Sequence, residues 1–249
     1  MSGHSKWSQI KRKKTAQDEK RGQMFGKLLR AVEVASREGG SNIEGNMTLA
    51  AAVQKARDYS VPSDNIERAI KRGSGDTGVA RYEEVVYEGY GPGGVAIMVQ
   101  ALTDNRNRTS QDVRHAFSRL GGNLGDPGSV AWMFDRRGLV VLDKATAVDE
   151  EALLAIVLDA GADDLRDAGE QWEVVTEAES LGEVRRALEE AGVPVASAEL
   201  TMLPKTTVPV DGSKADAVLR LIDGLEELED VQAVYSNFDI PDAILVETG

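Results

Sequence analysis

The sequence contains no cysteine, which excludes disulfide bonds, thiolate metal sites and cysteine nucleophiles. Histidine is almost as scarce, since only His4 and His115 occur and neither belongs to an H-E-x-x-H motif. The chain also lacks the G-x-S-x-G motif of serine hydrolases. We therefore expect a protein that is not an enzyme, with no catalytic residue, no metal site and no cofactor.

Long apolar runs are missing as well. No stretch approaches the roughly 18 apolar residues of a membrane-spanning helix, so a membrane partner is not expected. Residues 1–7 lack the apolar centre of a signal peptide. Because the absence of cysteine also fits a reducing compartment, the sequence predicts a soluble cytoplasmic protein.

The charge is distributed very unevenly along the chain. Residues 1–75 contain 15 Lys/Arg and 8 Asp/Glu, a net charge of +7. Residues 76–249 contain 14 Lys/Arg and 34 Asp/Glu, a net charge of −20. A basic segment on an acidic body is typical of polyanion binding, so DNA or RNA is the leading candidate partner.

Two groups of residues are candidate nucleic-acid contacts. The first, here called the basic head, supplies dense positive charge for phosphates and one aromatic ring for base stacking; its members are Lys6, Trp7, Lys11, Arg12, Lys13, Lys14, Lys20, Arg21, Lys27 and Arg30. The second is Arg106 and Arg108, which precede a predicted helix where a phosphate or base edge can bind. The alternatives are a solvated basic tail with Trp7 packed on the helices, and a polar turn with Thr109 as helix cap.

Two glycine-rich segments need a structural explanation. Residues 89–94 match G-x-G-x-x-G, but a strand follows instead of a helix, so we expect a hairpin turn and no dinucleotide site. Residues 121–128 lack the Lys-Ser/Thr ending of a P-loop. We expect them to end a helix and form a turn, and the alternative is that their amides face a ligand.

The periodicity predicts three helices within residues 24–73, the third capped by Asp64. Strands and a helix opened by Thr109 and Asp112 follow, with Val130 to Phe134 and Leu139 to Leu142 as two strands joined by a turn at 135–138. Residues 137–204, with a helix start at Ser180, follow a ferredoxin-like β-α-β-β-α-β order. A strand, a helix opened by Ser213 and a last strand then resemble the second half of the unit begun near residue 80.

The expected fold class is therefore a multidomain α+β protein: a helical N-terminal domain followed by two ferredoxin-like α/β domains, the last inserted into the middle one. The expected domains are residues 1–78, residues 79–136 with 205–249, and the acidic insertion 137–204. One feature is left unexplained: the acidic run Glu226 to Asp230 lies at a predicted helix C-terminus, where negative charge is unfavourable.

Long motifs spread from near residue 1 to about residue 240 closely resemble the YebC/PmpR family: Gly3 to Trp7 with Ile10, Lys11 and Lys14, Pro62 to Arg68, Tyr87 to Gly94, Thr103 to Thr109, Gly121 to Gly125 and Gly128 to Phe134. The resemblance implies a helical domain, a middle α/β domain and a third α/β domain inserted into it. Members are commonly described as probable transcriptional regulators that bind promoter DNA. A related mitochondrial member activates translation of a cytochrome oxidase subunit, and bacterial members have been linked to ribosomes and to relief of stalling at proline-rich stretches.

Two functions therefore stay open. One is a DNA-binding transcriptional regulator, which the usual description of the family favours; with no helix-turn-helix signature after the first helix, its contacts would be mostly to phosphates. The other is an RNA- or ribosome-binding translation factor, which suits a basic head with one aromatic residue. A remote alternative is a metal-dependent nucleic-acid hydrolase using Asp104 and Asp126, motivated only by their nearness to Arg106 and Arg108. Nothing in the sequence indicates an oligomeric state.

Overall fold

The computed structural model describes residues 18–75, 82–145 and 148–239. Residues 135–203 form one compact unit, and the described residues on either side of them form a second. Within these described ranges three helices come first, and two four-stranded sheets with their own helices follow. This order confirms the α+β fold class predicted from the sequence.

The N-terminal helices are α1 (Asp18–Gly39), α2 (Met47–Asp58) and α3 (Ser63–Ser74). They enclose one apolar core, which includes Leu28, Val32, Ala35, Leu49, Val53, Ala56, Ile66 and Ala69. A Cβ at Gly73 would collide with the carbonyl oxygen of Glu33 and with the side chain of Ser36. Glycine is thus required where α3 approaches the backbone of α1.

Asn46 and Pro62 occupy the N-cap positions of α2 and α3. The N-cap of α2 is Asn46, whose side chain accepts a hydrogen bond from Leu49 N–H at 3.0 Å and donates to Ala35 O at 2.8 Å. The predicted Asp64 cap of α3 is wrong, because Pro62 holds the N-cap position and no side chain caps the helix. Asp64 lies in the first turn, where its charge complements the helix dipole.

The next segment contains β1 (Glu83–Tyr90), β2 (Ala96–Thr103), α4 (Arg106–Arg119) and the short strand β3 (Asn123–Leu124). β1 and β2 pair in antiparallel fashion, and their connection contains a 3-10 turn at Pro92–Gly94. The hairpin predicted from residues 89–94 is therefore confirmed. Gly93 and Gly94 have φ values of 76° and 79°, a region that favours glycine.

The compact unit of residues 135–203 is built from the elements that follow a 3-10 turn at Ala131–Met133: β4 (Phe134–Asp143), α5 (Glu150–Asp159), β5 (Ala162–Asp167), β6 (Gln171–Thr176), α6 (Leu181–Glu190) and β7 (Ser197–Pro204). The sheet order β5-β6-β4-β7 and the alternation of elements are those of the predicted ferredoxin-like arrangement. Buried side chains from the sheet and both helices form its core: Val140, Leu142, Leu153, Val157, Val174 and Leu188. Ser180 does precede α6, but its side chain makes no capping hydrogen bond.

Two local predictions near β4 are wrong. Residues 135–138 belong to β4 and do not form a turn. A Cβ at Gly138 would collide with Thr176 Oγ1 on β6, so this glycine serves close packing between strands. Residues 131–133 form a 3-10 turn instead of a strand, since the N–H groups of Val130 and Ala131 donate to a side chain and not to a neighbouring strand.

The chain then completes the first sheet. The last elements are β8 (Val208–Pro209), α7 (Gly212–Glu226), β9 (Val231–Ser236) and β10 (Phe238–Asp239). β9 pairs antiparallel with β2, which gives the sheet order β3-β1-β2-β9, and α4 and α7 contribute to its core. α7 begins at Gly212 after Asp211, so the predicted opening residue Ser213 lies inside its first turn.

Candidate nucleic-acid interface

The structure describes only part of the basic head. Lys6, Trp7, Lys11, Arg12, Lys13 and Lys14 lie outside the described residues, so their assignment stays a prediction. Lys20 and Arg21 belong to the first turn of α1, and their side chains are also outside the described part. The four consecutive cations Lys11 to Lys14 therefore lie a few residues before α1 in the chain.

Lys27 binds the end of another helix. Its Nζ donates to the carbonyl oxygens of Glu226 at 2.6 Å and Leu228 at 2.8 Å, at the C-terminus of α7. Carbonyls at a helix C-terminus lack partners within the helix and carry the negative end of its dipole. The ammonium group of Lys27 satisfies the carbonyl of Glu226, the last residue of α7, and shares the carbonyl of Leu228 with Val231 N–H, so it joins α1 to the end of α7.

Arg30, one helical turn further along α1, binds the same region through its charge. It donates to Glu229 Oε1 at 2.7 Å and to Asp230 Oδ1 at 3.0 Å. Its guanidinium also lies over the Tyr82 ring, 5.2 Å from the centroid, in a cation–π contact. These contacts fix the orientation of α1 relative to the sheet β3-β1-β2-β9.

Asp230 is the centre of this junction. Its buried Oδ2 accepts from Arg108 Nη2 at 2.7 Å and lies 2.7 Å from Thr109 Oγ1 and 3.2 Å from Thr103 Oγ1. Burial favours the neutral acid, but the hydrogen bonds from Arg108 and the threonines outweigh it and lower the pKa of Asp230 below its ordinary value. The carboxylate thus stays charged between cations supplied by α1 and α4.

This geometry explains the acidic run at residues 226–230. In isolation, negative charge at the C-terminus of α7 is unfavourable. Here Lys27 donates to the carbonyls of Glu226 and Leu228. Arg30 pairs with the carboxylates of Glu229 and Asp230, and Arg108 pairs with Asp230, so the last two acids of the run are neutralised within the protein.

The start of α4 also differs from the sequence interpretation. Asn105 is the N-cap, and its side chain accepts from Arg108 N–H at 3.1 Å. Thr109 is wrong as a cap, because it lies inside the helix and its buried hydroxyl belongs to the Asp230 network. The hydroxyl of Thr109 therefore serves the buried carboxylate of Asp230 and does not cap α4.

Arg106 and Arg108 lie in the first turn of α4, but their environments differ. Arg108 donates to Asp230 and to Asp104 at 3.0 Å, and these two carboxylates raise the pKa of its guanidinium. Arg106 is exposed, and its charge partly counteracts the raised pKa that burial gives Tyr87. Of the two cations, Arg108 is therefore the one that is committed to carboxylates of its own chain.

A second buried carboxylate shapes the glycine-rich loop that precedes β4. Glu88 Oε1 accepts from Gly128 N–H, and Oε2 accepts from the N–H groups of Val130 and Ala131, each at 2.7 Å. Burial favours the neutral acid, but these three backbone donors prevail and the pKa of Glu88 lies below its ordinary value. Among the amides of residues 121–128, Gly128 N–H donates to the Glu88 carboxylate, Gly125 N–H to Glu88 O and Gly122 N–H to Phe117 O.

The residues of the hydrolase alternative do not form a cluster of acids. Asp104 accepts a hydrogen bond from Arg108, and Asp126 lies in the glycine-rich loop, where its carbonyl accepts from Ser129 N–H at 3.1 Å. In the part of the chain that the structure describes, no group of three or more His, Asp or Glu side chains is suited to a metal ion. Within those same ranges no helix has the length and apolarity to cross a membrane.

Comparison with known proteins decides the family. The description "TACO1/YebC protein N-terminal domain" matches residues 5–76, and "TACO1/YebC second and third domain" matches residues 82–238. The chain belongs to the TACO1/YebC family. The recognition made from sequence motifs is therefore confirmed.

Similar TACO1/YebC proteins share the full length of the chain. A protein of Rubrobacter xylanophilus is 56% identical and covers 99% of both chains, and one of Pelotomaculum thermopropionicum is 51% identical over 97% of this chain and 100% of its own. Both are named "Probable transcriptional regulatory protein". The crystal structure of a conserved hypothetical protein from Aquifex aeolicus has a TM-score of 0.81 and 46% identity, covering 90% of this chain and 93% of that one. At the level of the family, the chain is thus a relative of gene-expression regulators.

Sequence reasoning missed Glu88, Thr103 and Asp230 as organising residues. Glu88 ends an apolar stretch of β1, and an acid in such a place signals a buried partner. Asp230 belonged to the acidic run that had no explanation, and that anomaly was its signal. Neither signal identifies the partners, because the donors come from distant parts of the chain.

Proposed function

We propose that this TACO1/YebC protein is a DNA-binding regulator of transcription that binds the phosphate backbone through its basic head. The observation that carries the proposal is the contrast between a net charge of +7 in residues 1–75 and −20 in the remainder. Neutralising phosphates with Lys and Arg releases counterions, which supplies affinity without sequence readout. The names of the relatives support a role in regulation.

The contacts of the N-terminal helices support different roles for the cations of this region. Lys27 and Arg30 are engaged with α7 and hold α1 in place, so the proposal assigns the phosphate contacts to the more N-terminal cations of the basic head. α2 and α3 are joined by residues 59–62, a connection of the length found in helix-turn-helix units. α3 places Arg68 and Lys71 on its exposed side, where they add to the positive surface.

Binding to duplex DNA over a range of salt concentrations tests the proposal. The Lys11→Ala/Lys13→Ala/Lys14→Ala variant of the full chain is expected to weaken binding to a promoter duplex and to a scrambled duplex alike. The slope of log K against log salt should fall by about 0.9 for each phosphate that is no longer neutralised. A matched variant, Lys205→Ala/Lys214→Ala/Arg220→Ala, removes the same charge from the acidic body and should leave the slope unchanged.

An unchanged slope in the head variant, or an equal loss in both variants, contradicts the proposal.

The second candidate is an RNA- or ribosome-binding translation factor, which is favoured by Trp7 among the cations because an aromatic ring suits unpaired bases. Co-migration of the protein with ribosomes in a sucrose gradient at low salt, without preference for any promoter over scrambled DNA, would select that candidate.

A further inference from the structure

Trp132 is an exposed aromatic side chain in the compact unit that contains β1, β2 and β9. It is 65% exposed, whereas Trp172, the other tryptophan among the described residues, is 8% exposed. Exposing an indole forgoes the burial that normally stabilises large aromatic residues. The ring of Trp132 is therefore accessible to a ligand.

The turn that carries Trp132 is held firmly. Glu88 binds the backbone N–H groups of Gly128, Val130 and Ala131, immediately before the tryptophan. The carbonyl of Ser129 accepts from Tyr90 Oη–H at 2.9 Å and from Trp132 Nε1–H at 3.1 Å. A buried ionised carboxylate and a tyrosine therefore fix the position of an exposed ring.

The same contacts define what the indole can recognise. Its single polar hydrogen is used within the turn, so the flat faces of the ring remain for contact with a ligand. The side chains just before it are small or buried: Gly128, Ser129, Val130 and Ala131. Tryptophans that anchor protein interfaces fill well-packed pockets within a surrounding contact surface, whereas an isolated fixed ring suits stacking on another flat ring.

We infer that Trp132 is a stacking platform for an unpaired base of single-stranded nucleic acid. This inference rests on the proposed nucleic-acid binding and adds a second contact, remote in sequence from the basic head. The basic head holds phosphates of any strand. Trp132 adds affinity only for strands that offer an unstacked base, and so favours single strands over a duplex. RNA and DNA share this chemistry, so the platform accepts a base from either.

Anisotropy titrations of the full chain with four labelled probes test the platform: a uridine 12-mer RNA, a thymidine 12-mer DNA, an abasic DNA strand of the same length, and a blunt DNA duplex. Trp132→Ala is expected to weaken binding of the two base-containing single strands by roughly 5- to 150-fold, the range that corresponds to loss of one stacked base. Trp132→Phe should keep most of the affinity because the ring remains. Neither variant should change binding to the abasic strand or the duplex.

Met47→Ala is the matched control, since Met47 is another strongly exposed apolar side chain, on α2, and its removal should alter none of the four affinities. A loss for Trp132→Ala on base-containing single strands alone supports the platform, and the relative loss on RNA and DNA shows which source it prefers. Equal affinity of Trp132→Ala and wild type for the base-containing single strands overturns the inference. If the wild type binds none of the probes, the proposed function fails and the platform fails with it.

Discussion

Replacing Asp230 with Asn tests the junction that joins α1, α4 and the end of α7. The substitution keeps the shape of the side chain but removes the charge that Arg30, Arg108 and Thr109 surround. It also points amide hydrogens toward donor groups. The junction is therefore expected to weaken without a change in packing volume.

The magnitude follows from the hydrogen bonds and ion pairs of Asp230. Hydrogen bonds to charged groups contribute about 1.5–3 kcal/mol each, and breaking a fully buried ion pair costs about 3–5 kcal/mol. Here Arg30 keeps Glu229, Arg108 keeps Asp104, and solvent reaches the Arg108 side chain, which is 48% exposed. We expect the free energy of unfolding to fall by about 2–3 kcal/mol, or roughly 4–12 °C in Tm for a unit of this size.

Calorimetry and urea unfolding at several pH values provide the measurement. The folded pKa of Asp230 lies below the unfolded value of about 3.9, so its contribution is fully present above that value and is lost as the pH falls through the folded pKa. The difference between wild type and Asp230→Asn should therefore be constant near neutral pH and shrink below about pH 4.

Glu229→Gln supplies the control within the same acidic run. Its side chain is 84% exposed and makes one ion pair with Arg30, so its loss should cost no more than about 1 kcal/mol. Equal destabilisation by the two substitutions, or a difference that does not shrink in acid, would refute the account of Asp230 as the centre of the junction.

The remaining predictions concern other interactions in the same compact unit, each measured by urea unfolding. Glu88→Gln should lower the free energy of unfolding by about 2–3 kcal/mol at neutral pH, because an amide group cannot replace both acceptor oxygens, and this deficit should fade as the pH falls through the folded pKa of Glu88. Gly73→Ala should destabilise by about 1–3 kcal/mol through the clash with α1, whereas Gly26→Ala, in open space on α1, should stabilise by about 0.5–1 kcal/mol. Lys27→Met should cost about 1–3 kcal/mol, since two carbonyls at the end of α7 lose a charged donor.

Periodicity was sufficient for the fold class because local patterns determine it. The stripes through Leu28 and Val53 depend only on which face of a helix is apolar, and the continuous apolar run around Val140 is typical of a buried strand. The glycines were harder to interpret. Gly138 matches a turn in sequence, yet it lies within β4, since its role is to let Thr176 approach from a neighbouring strand.

The site was less predictable because its key residues are distant in sequence. Arg108 and Asp230 are 122 residues apart, and Lys27 and Glu226 are 199 residues apart. Charge composition identifies candidate cations such as Lys27 and Arg30, but it does not show which of them are neutralised within the protein. Capping patterns failed at Thr109 for the same reason, since a buried carboxylate from the turn before β9 competes for its hydroxyl.

The backbone hydrogen bond from Lys205 N–H to Met133 O, at 2.9 Å, spans the two points between which residues 135–203 are inserted. The two residues that flank the insertion are thus adjacent in the unit that contains β1, β2 and β9. In that unit the insertion takes the position of a loop whose two ends meet. Loop-closure entropy grows only slowly with length, so a long excursion between adjacent ends is a small burden on the host. We therefore expect that the length and sequence of this acidic insertion can change with little effect on the sheet β3-β1-β2-β9.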